Sequence, residues 1–191
     1  MALTTVAGYK TREGISIASK DAEIGVVLAE AELLIARYCD RTLEDSGSDI
    51  TEYANGNGDS VLYVEAYPIS SVTSVSYLSS VTSGVAGYTA YGTGEYYSDA
   101  STGSLIRFGS IDISFSGAIS PPVWPTGEKN IKIVYQGGYT SGTVPADLSD
   151  AIYDLMSIIL HGRDGTREAA TTEDVRAFLD ERIPHYRRMT L

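Results

Sequence analysis

The chain has 191 residues, 43% of them hydrophobic and 20% charged, enough apolar material for a filled core and too much for disorder throughout. Its formal net charge of -11 argues against direct binding to a nucleic-acid backbone, which needs a cationic patch. No run approaches the ~18–20 apolar residues that cross a bilayer, and Met1–Thr5 lacks the basic start and apolar core of a signal peptide, so a soluble protein without membrane contact is expected. The charge is uneven: residues 1–162 hold 8 Lys/Arg and 19 Asp/Glu, whereas 163–191 balance with six of each. Cys39 is the one cysteine, which excludes an intrachain disulfide and a cysteine-rich zinc site.

A short element around Thr11 to Ile17 is expected first. Ile24, Val27, Leu28, Ala31, Leu34, Ile35 and Tyr38 then recur at the spacing of one buried helical face, predicting a helix over about 20–38, ~28 Å long. Ser19 or Asp21 is positioned to cap it, and Arg37 and Arg41 suit its C-terminal end. A β-rich zone follows over about 50–140. Val61–Val64, Val72–Leu78, Leu105–Phe108 and Ile131–Tyr135 are short β-branched and aromatic runs. Asn55-Gly56 predicts a type I′ turn. The segment Val81–Ser104, rich in Gly, Ser, Thr and Tyr, fits either a long hairpin or a loop.

Helix returns over about 145–161. Pro145 opens it, Leu148, Ile152, Leu155, Met156, Ile159 and Leu160 form its stripe, and Gly162 is placed to end it. A last helix starts at Thr171 or Thr172, carries Val175, Phe178, Leu179 and Ile183, and stops at Pro184. The α-then-β-then-α order predicts an α+β protein, a body of N- and C-terminal helices packed with a small antiparallel sheet subdomain. Residues 1–162 form the expected core and 163–191 a C-terminal helical arm.

Chemistry-bearing patterns are sparse. His161 and His185 lie near loop or tail, and no Gly-x-Ser-x-Gly elbow accompanies them. Asn55–Asp59 alternates oxygen donors as a calcium loop does, but Ser60 stands where the pattern needs Gly and Ala66 where it needs Glu. Asp147, Asp150 and Asp154 share a helix face and read as a solvated start of the helix more readily than as a metal site. No catalytic residue, metal or cofactor is assigned, and an enzyme is not expected. Fourteen tyrosines, ten of them from Tyr53 to Tyr139, indicate a contact surface.

Four segments together resemble the head–tail connector (adaptor) family of siphophages and gene-transfer particles. They are Ile35-Ala36-Arg37-Tyr38-Cys39-Asp40-Arg41; Val61–Val64 followed by Tyr67-Pro68-Ile69-Ser70-Ser71-Val72-Thr73-Ser74-Val75; Trp124-Pro125 with Asn130–Tyr139 leading into Val144-Pro145-Ala146-Asp147-Leu148; and Ile183-Pro184-His185-Tyr186-Arg187-Arg188. In that pattern Pro68 stands at the entrance of an edge strand. The Val81–Ser104 insertion and His161-Gly162-Arg163 depart from it.

The resemblance implies a structural virion protein, assembled in the host cytoplasm. About 12 copies would form a ring beneath the portal that extends the DNA channel toward a head-closure or tail protein. DNA would pass through the acidic channel without sequence-specific binding. The resemblance also assigns portal contact to an arm bearing Phe178, Leu179, Ile183, Tyr186, Arg187 and Arg188, whose truncation at Thr171 should leave folding intact. Tyr88, Tyr91, Tyr96, Tyr97 and Trp124 are the expected contacts to neighbouring subunits or the next neck ring. The alternatives are another neck or tail-completion ring protein, and a tyrosine-rich carbohydrate- or surface-binding module.

Overall fold

A computed structural model describes residues 3–108, 122–163 and 171–188. The chain is α+β and divides into two compact units, a helical one from residues 1–44 and 139–189 and a β unit from 45–138.

The helical unit begins with α1 (Val6–Glu13), capped by Thr5, whose hydroxyl accepts from the Gly8 N–H. This helix replaces the element expected at Thr11–Ile17, because the cap lies upstream and chain reversal follows at Gly14. A 3-10 turn (Ala18–Lys20) leads into α2 (Asp21–Cys39). Neither Ser19 nor Asp21 caps it: the turn carries the chain straight into the helix, and Asp21 instead pairs with Lys10 at 2.5 Å. Ile24, Val27, Leu28, Ala31, Ile35 and Cys39 form its buried face.

That face meets Leu148, Ala151, Ile152, Leu155 and Met156 of α3 (Ala146–Arg163) in one core. Gly162 lies inside α3 rather than past its end, since the helix runs one residue beyond it. A capping box at Thr171, with Asp174 returning the bond, starts α4 (Thr172–Arg182). Pro184 opens a final 3-10 turn (Pro184–Tyr186).

The β unit holds β1 (Ile50–Gly56), β2 (Val61–Tyr63), β3 (Ile69–Thr82), β4 (Val85–Ala90), β5 (Tyr96–Asp99), β6 (Ser104–Arg107) and β7 (Gly127–Gly137). They make a four-stranded antiparallel sheet of order β1-β7-β3-β4 and a three-stranded one of order β2-β6-β5. Period-two burial on β7 sends Ile131, Ile133 and Tyr135 to one face, where Val75, Leu62, Leu105 and Trp124 complete a shared core. Pro68 precedes β3, which is an interior strand between β7 and β4, not an edge; proline can stand there because it sits before the first ladder residue.

One turn differs from the sequence expectation for a tertiary reason, and a second region takes the hairpin that was one of its two expected forms. Asn55-Gly56 belongs to β1, where the Gly56 N–H donates to Asn130 Oδ1 at 2.8 Å and a Cβ on Gly56 would lie 1.8 Å from the Pro125 carbonyl. The tight hairpin turn is Ser83-Gly84, with φ of 53° and 79°, the left-handed pair that a type I′ connection requires. The Val81–Ser104 region is therefore the β3–β4 hairpin followed by β5.

Candidate functional site

In the helical unit the acidic face of α3 is an anchoring surface. Asp154 accepts from Arg12 Nη2 at 2.6 Å and from Arg182 Nη2 at 3.0 Å, so one carboxylate joins α1 and α4 to α3. Asp150 also receives Arg12, at 3.4 Å. One turn earlier, Asp147 accepts from the Tyr186 hydroxyl at 2.8 Å and lies 3.1 Å from His185 Nε2. Burial opposes ionisation of Asp147, but the hydrogen bonds from Tyr186 and His185 outweigh it and hold the carboxyl below its ordinary value. The three aspartates thus have defined side-chain partners, while Asp147 and Asp150 remain exposed as a solvated face would be.

The C-terminal segment is fastened at further points. Tyr38 donates to Asp180 at 2.7 Å, and burial, then that carboxylate, pushes the phenol up to about 12. The backbone N–H of Arg188 donates to the Cys39 carbonyl at 2.8 Å, and the Arg187 guanidinium lies 5.5 Å from the Tyr38 ring centre. Arg41, only 4% exposed, sits 5.7 Å from both the Tyr139 and the Tyr186 rings. Burial also drives the Cys39 thiol up to about 11, which leaves it un-ionised and unreactive at neutral pH.

Of the six arm residues expected from the sequence, Leu179, Ile183 and Tyr186 are core residues of the helical unit. Phe178 is half-buried, with Arg182 6.0 Å from its ring centre. Arg187 is exposed and Arg188 partly so. Truncation at Thr171 would remove three buried side chains and Arg182, the α4 partner of Asp154, so folding is not expected to survive it, contrary to the sequence expectation. Residues 189–191 of the arm, and the connection over 164–170, lie outside the described residues.

In the β unit Trp124 is fully buried, its indole N–H donating to the Leu105 carbonyl at 3.2 Å. Tyr91 packs edge-on against it at 5.6 Å and against Tyr77 at 5.0 Å, while the Arg107 guanidinium covers the Tyr91 ring at 4.1 Å. Tyr96 is half-buried against the same core. The Tyr88 hydroxyl donates to the Lys129 carbonyl at 2.8 Å and its ring packs at a tilt against Tyr53, 5.8 Å between ring centres, bracing the β3–β4 hairpin. Of the five expected contact residues, only Tyr97 is more than half exposed, and it pairs with exposed Phe108 at 6.4 Å.

Two surfaces escape a reading for core periodicity. Val26 and Leu33 are exposed on the outer side of α2, seven residues apart and flanked by exposed Ala22 and Ala29. Their signal was available as apolar residues off the buried phase of the helix. Val81 and Val85, 65% and 71% exposed, flank the Ser83-Gly84 turn. Neither surface gathers groups for chemistry. Among the described residues no three His, Cys, Asp or Glu lie close enough to hold a metal ion, and no helix is long and apolar enough to cross a membrane.

No family model and no curated protein matches the sequence. Solved structures do match the fold. A chain from the neck of an empty gene transfer agent particle, computed with C6 symmetry, aligns with a TM-score of 0.56 at 18% identity, over 97% of this chain and 90% of that one. A chain from the virion of a native gene transfer agent particle gives 0.58 at 16% identity, over 97% and 90%. A chain from the neck of a native particle computed with C12 symmetry gives 0.54 at 20% identity, over 97% and 89%. At these identities the likeness establishes a shared fold, and it takes in both units.

Proposed function

We propose that this protein is a structural component of the neck of a phage-like particle, a head-to-tail adaptor that forms a ring beneath the portal and continues the DNA channel toward the tail. The observation that carries the reading is the fold match over 97% of the chain to chains of gene transfer agent necks and virions. The C6 and C12 symmetries of those necks support a cyclic ring of this chain as well. The protein acts by shape and charge rather than by catalysis. A body whose first 162 residues carry all of the -11 surrounds DNA with like charge, so the polymer slides without adhering. The β-unit loops face the next neck component.

Portal contact falls to the exposed part of the C-terminal segment, with Phe178, Arg187 and Arg188 at its surface and the buried residues fixing its path. The tyrosine-rich sugar-binding alternative loses its main support, because Tyr77, Tyr91 and Tyr135 pack inside the β unit rather than forming a platform.

The test is capture of this protein by the portal protein of its own particle, using wild type and an Arg187→Glu, Arg188→Glu variant whose circular dichroism is unchanged. The account expects portal capture by wild type and at least a tenfold loss in the variant, with wild-type affinity falling as salt rises. Equal capture of both would place the contact elsewhere. Capture by tail proteins and not by the portal would move the ring to the tail side of the neck.

A further inference from the structure

The segment that alternates oxygen donors holds two Asn-Gly pairs, Asn55-Gly56 and Asn57-Gly58. Asparagine is thermolabile, and most so before glycine, whose missing side chain lets its own backbone nitrogen approach the asparagine amide. In that reaction hydroxide takes the proton of the glycine N–H, and the nitrogen forms a bond to the asparagine Cγ. The Cγ–Nδ2 bond breaks, and the amide leaves as ammonia after taking a proton from water. Water then opens the resulting succinimide at either carbonyl, giving aspartate or isoaspartate. Ring closure needs a glycine nitrogen that can be released and room for the peptide to turn that nitrogen toward Cγ.

The fold treats the two pairs differently. Gly56 is buried at the end of β1, and its N–H donates to Asn130 Oδ1 at 2.8 Å. Asn55 Oδ1 accepts from the Lys129 N–H at 2.7 Å, so the nucleophile and the amide are both tied to β7. A Cβ on Gly56 would lie 1.8 Å from the Pro125 carbonyl oxygen, so the backbone there has no room to turn. Asn57 and Gly58 lie beyond the strand. Asn57 is exposed, and a Cβ on Gly58 would meet Thr126 Oγ1 at 3.2 Å, the end of a side chain that can yield. Asn57 Oδ1 accepts from the Asp59 N–H at 3.0 Å and its Nδ2 donates to the Asp59 carboxylate at 2.7 Å. This local turn folds the Asn57 amide back over the Gly58 nitrogen. The Gly58 N–H donates to the Trp124 carbonyl at 3.2 Å, at the long end of the range for such bonds.

We propose that Asn57 is a modification site of the folded chain, deamidating through a succinimide with Gly58, while β7 shields Asn55 from the same reaction. Each event replaces a neutral amide with a carboxylate two residues from Asp59. The isoaspartate product also inserts a methylene group into the main chain between β1 and β2.

The full-length chain, aged in mildly alkaline buffer and digested for mass spectrometry, gives the rate of amide-to-acid conversion at each asparagine. Labelling with an isoaspartyl methyltransferase identifies the isoaspartate product. The folded chain should convert Asn57 at least about tenfold faster than Asn55, whose nucleophile must first lose a buried hydrogen bond. The same chain in denaturant should convert both at similar rates. Asn57→Gln, at an exposed position, should remove the acidic species that isoelectric focusing resolves in the aged wild type. Equal conversion of the two pairs in the folded chain, or conversion led by Asn55, would overturn the proposal. Conversion of neither, in the time the denatured chain converts both, would overturn it as well, because the Trp124 bond would then suffice to shield Asn57.

Discussion

Ile183→Ala decides whether the C-terminal segment is a packed part of the helical unit or a separable arm. Ile183 is 0% exposed and lies in the core with Leu179 and Tyr186. Removing three buried carbons at roughly 0.8 kcal/mol each forfeits about 2.4 kcal/mol of transfer free energy. The cavity left behind adds to this, and buried Ile→Ala substitutions cost about 2–5 kcal/mol in total. The ion pairs of the segment are weaker: exposed pairs such as Arg182 with Asp154 contribute about 0.2–1 kcal/mol each. Burial therefore holds the segment, and the ion pairs set its register. A loss near 3 kcal/mol lowers the melting temperature on the order of 15 °C for a domain of this size. Thermal unfolding followed by far-ultraviolet circular dichroism reads it, with hydrogen exchange on α4 locating the loss. A drop of less than about 3 °C would mean that the segment is not packed as described.

Three further outcomes are expected. Asp154→Asn removes the shared anion of Arg12 and Arg182 and should cost about 1 kcal/mol, less at high salt, in denaturant titrations. Gly56→Ala drives a methyl group into the Pro125 backbone and should cost about 1–3 kcal/mol, read from the fluorescence of Trp124, the one tryptophan. The Asp147 clasp depends on pH: because the folded carboxyl titrates below its ordinary 3.8, its stabilisation is complete above that value and lost as pH falls through the lower, folded one. Hydrogen exchange at Tyr186 should open in that acid range, and Asp147→Asn should abolish the step.

Much of the secondary structure was legible because single faces repeat. The buried positions of α2 and α3, the alternation on β7 and the Thr171 cap each declare themselves within one segment. What was not legible depends on distant partners. Asn55-Gly56 carries strong turn chemistry, yet Asn130, 74 residues away, takes the Gly56 N–H and keeps it in a strand. Ser83-Gly84 is a weaker turn signal that wins because the flanking strands pair on both sides of it. Asp154 of α3 acquires Arg12 and Arg182 from other helices, a pairing that no single segment declares.

The site residues divide the same way. Leu179, Ile183 and Tyr186 sit four and three residues apart, a core spacing that was open to that reading on sequence alone. The burial of Trp124 needed the Leu105 carbonyl, 19 residues away, to satisfy its indole.

The central claim is a neck ring, and the most direct measurement is negative-stain imaging of the portal protein of the same particle with and without this chain. The account predicts an added ring of density on the tail-facing side of the portal, with sixfold or twelvefold symmetry, that appears only when the chain is present. A portal whose averages are unchanged at saturating concentrations of a folded chain would contradict it.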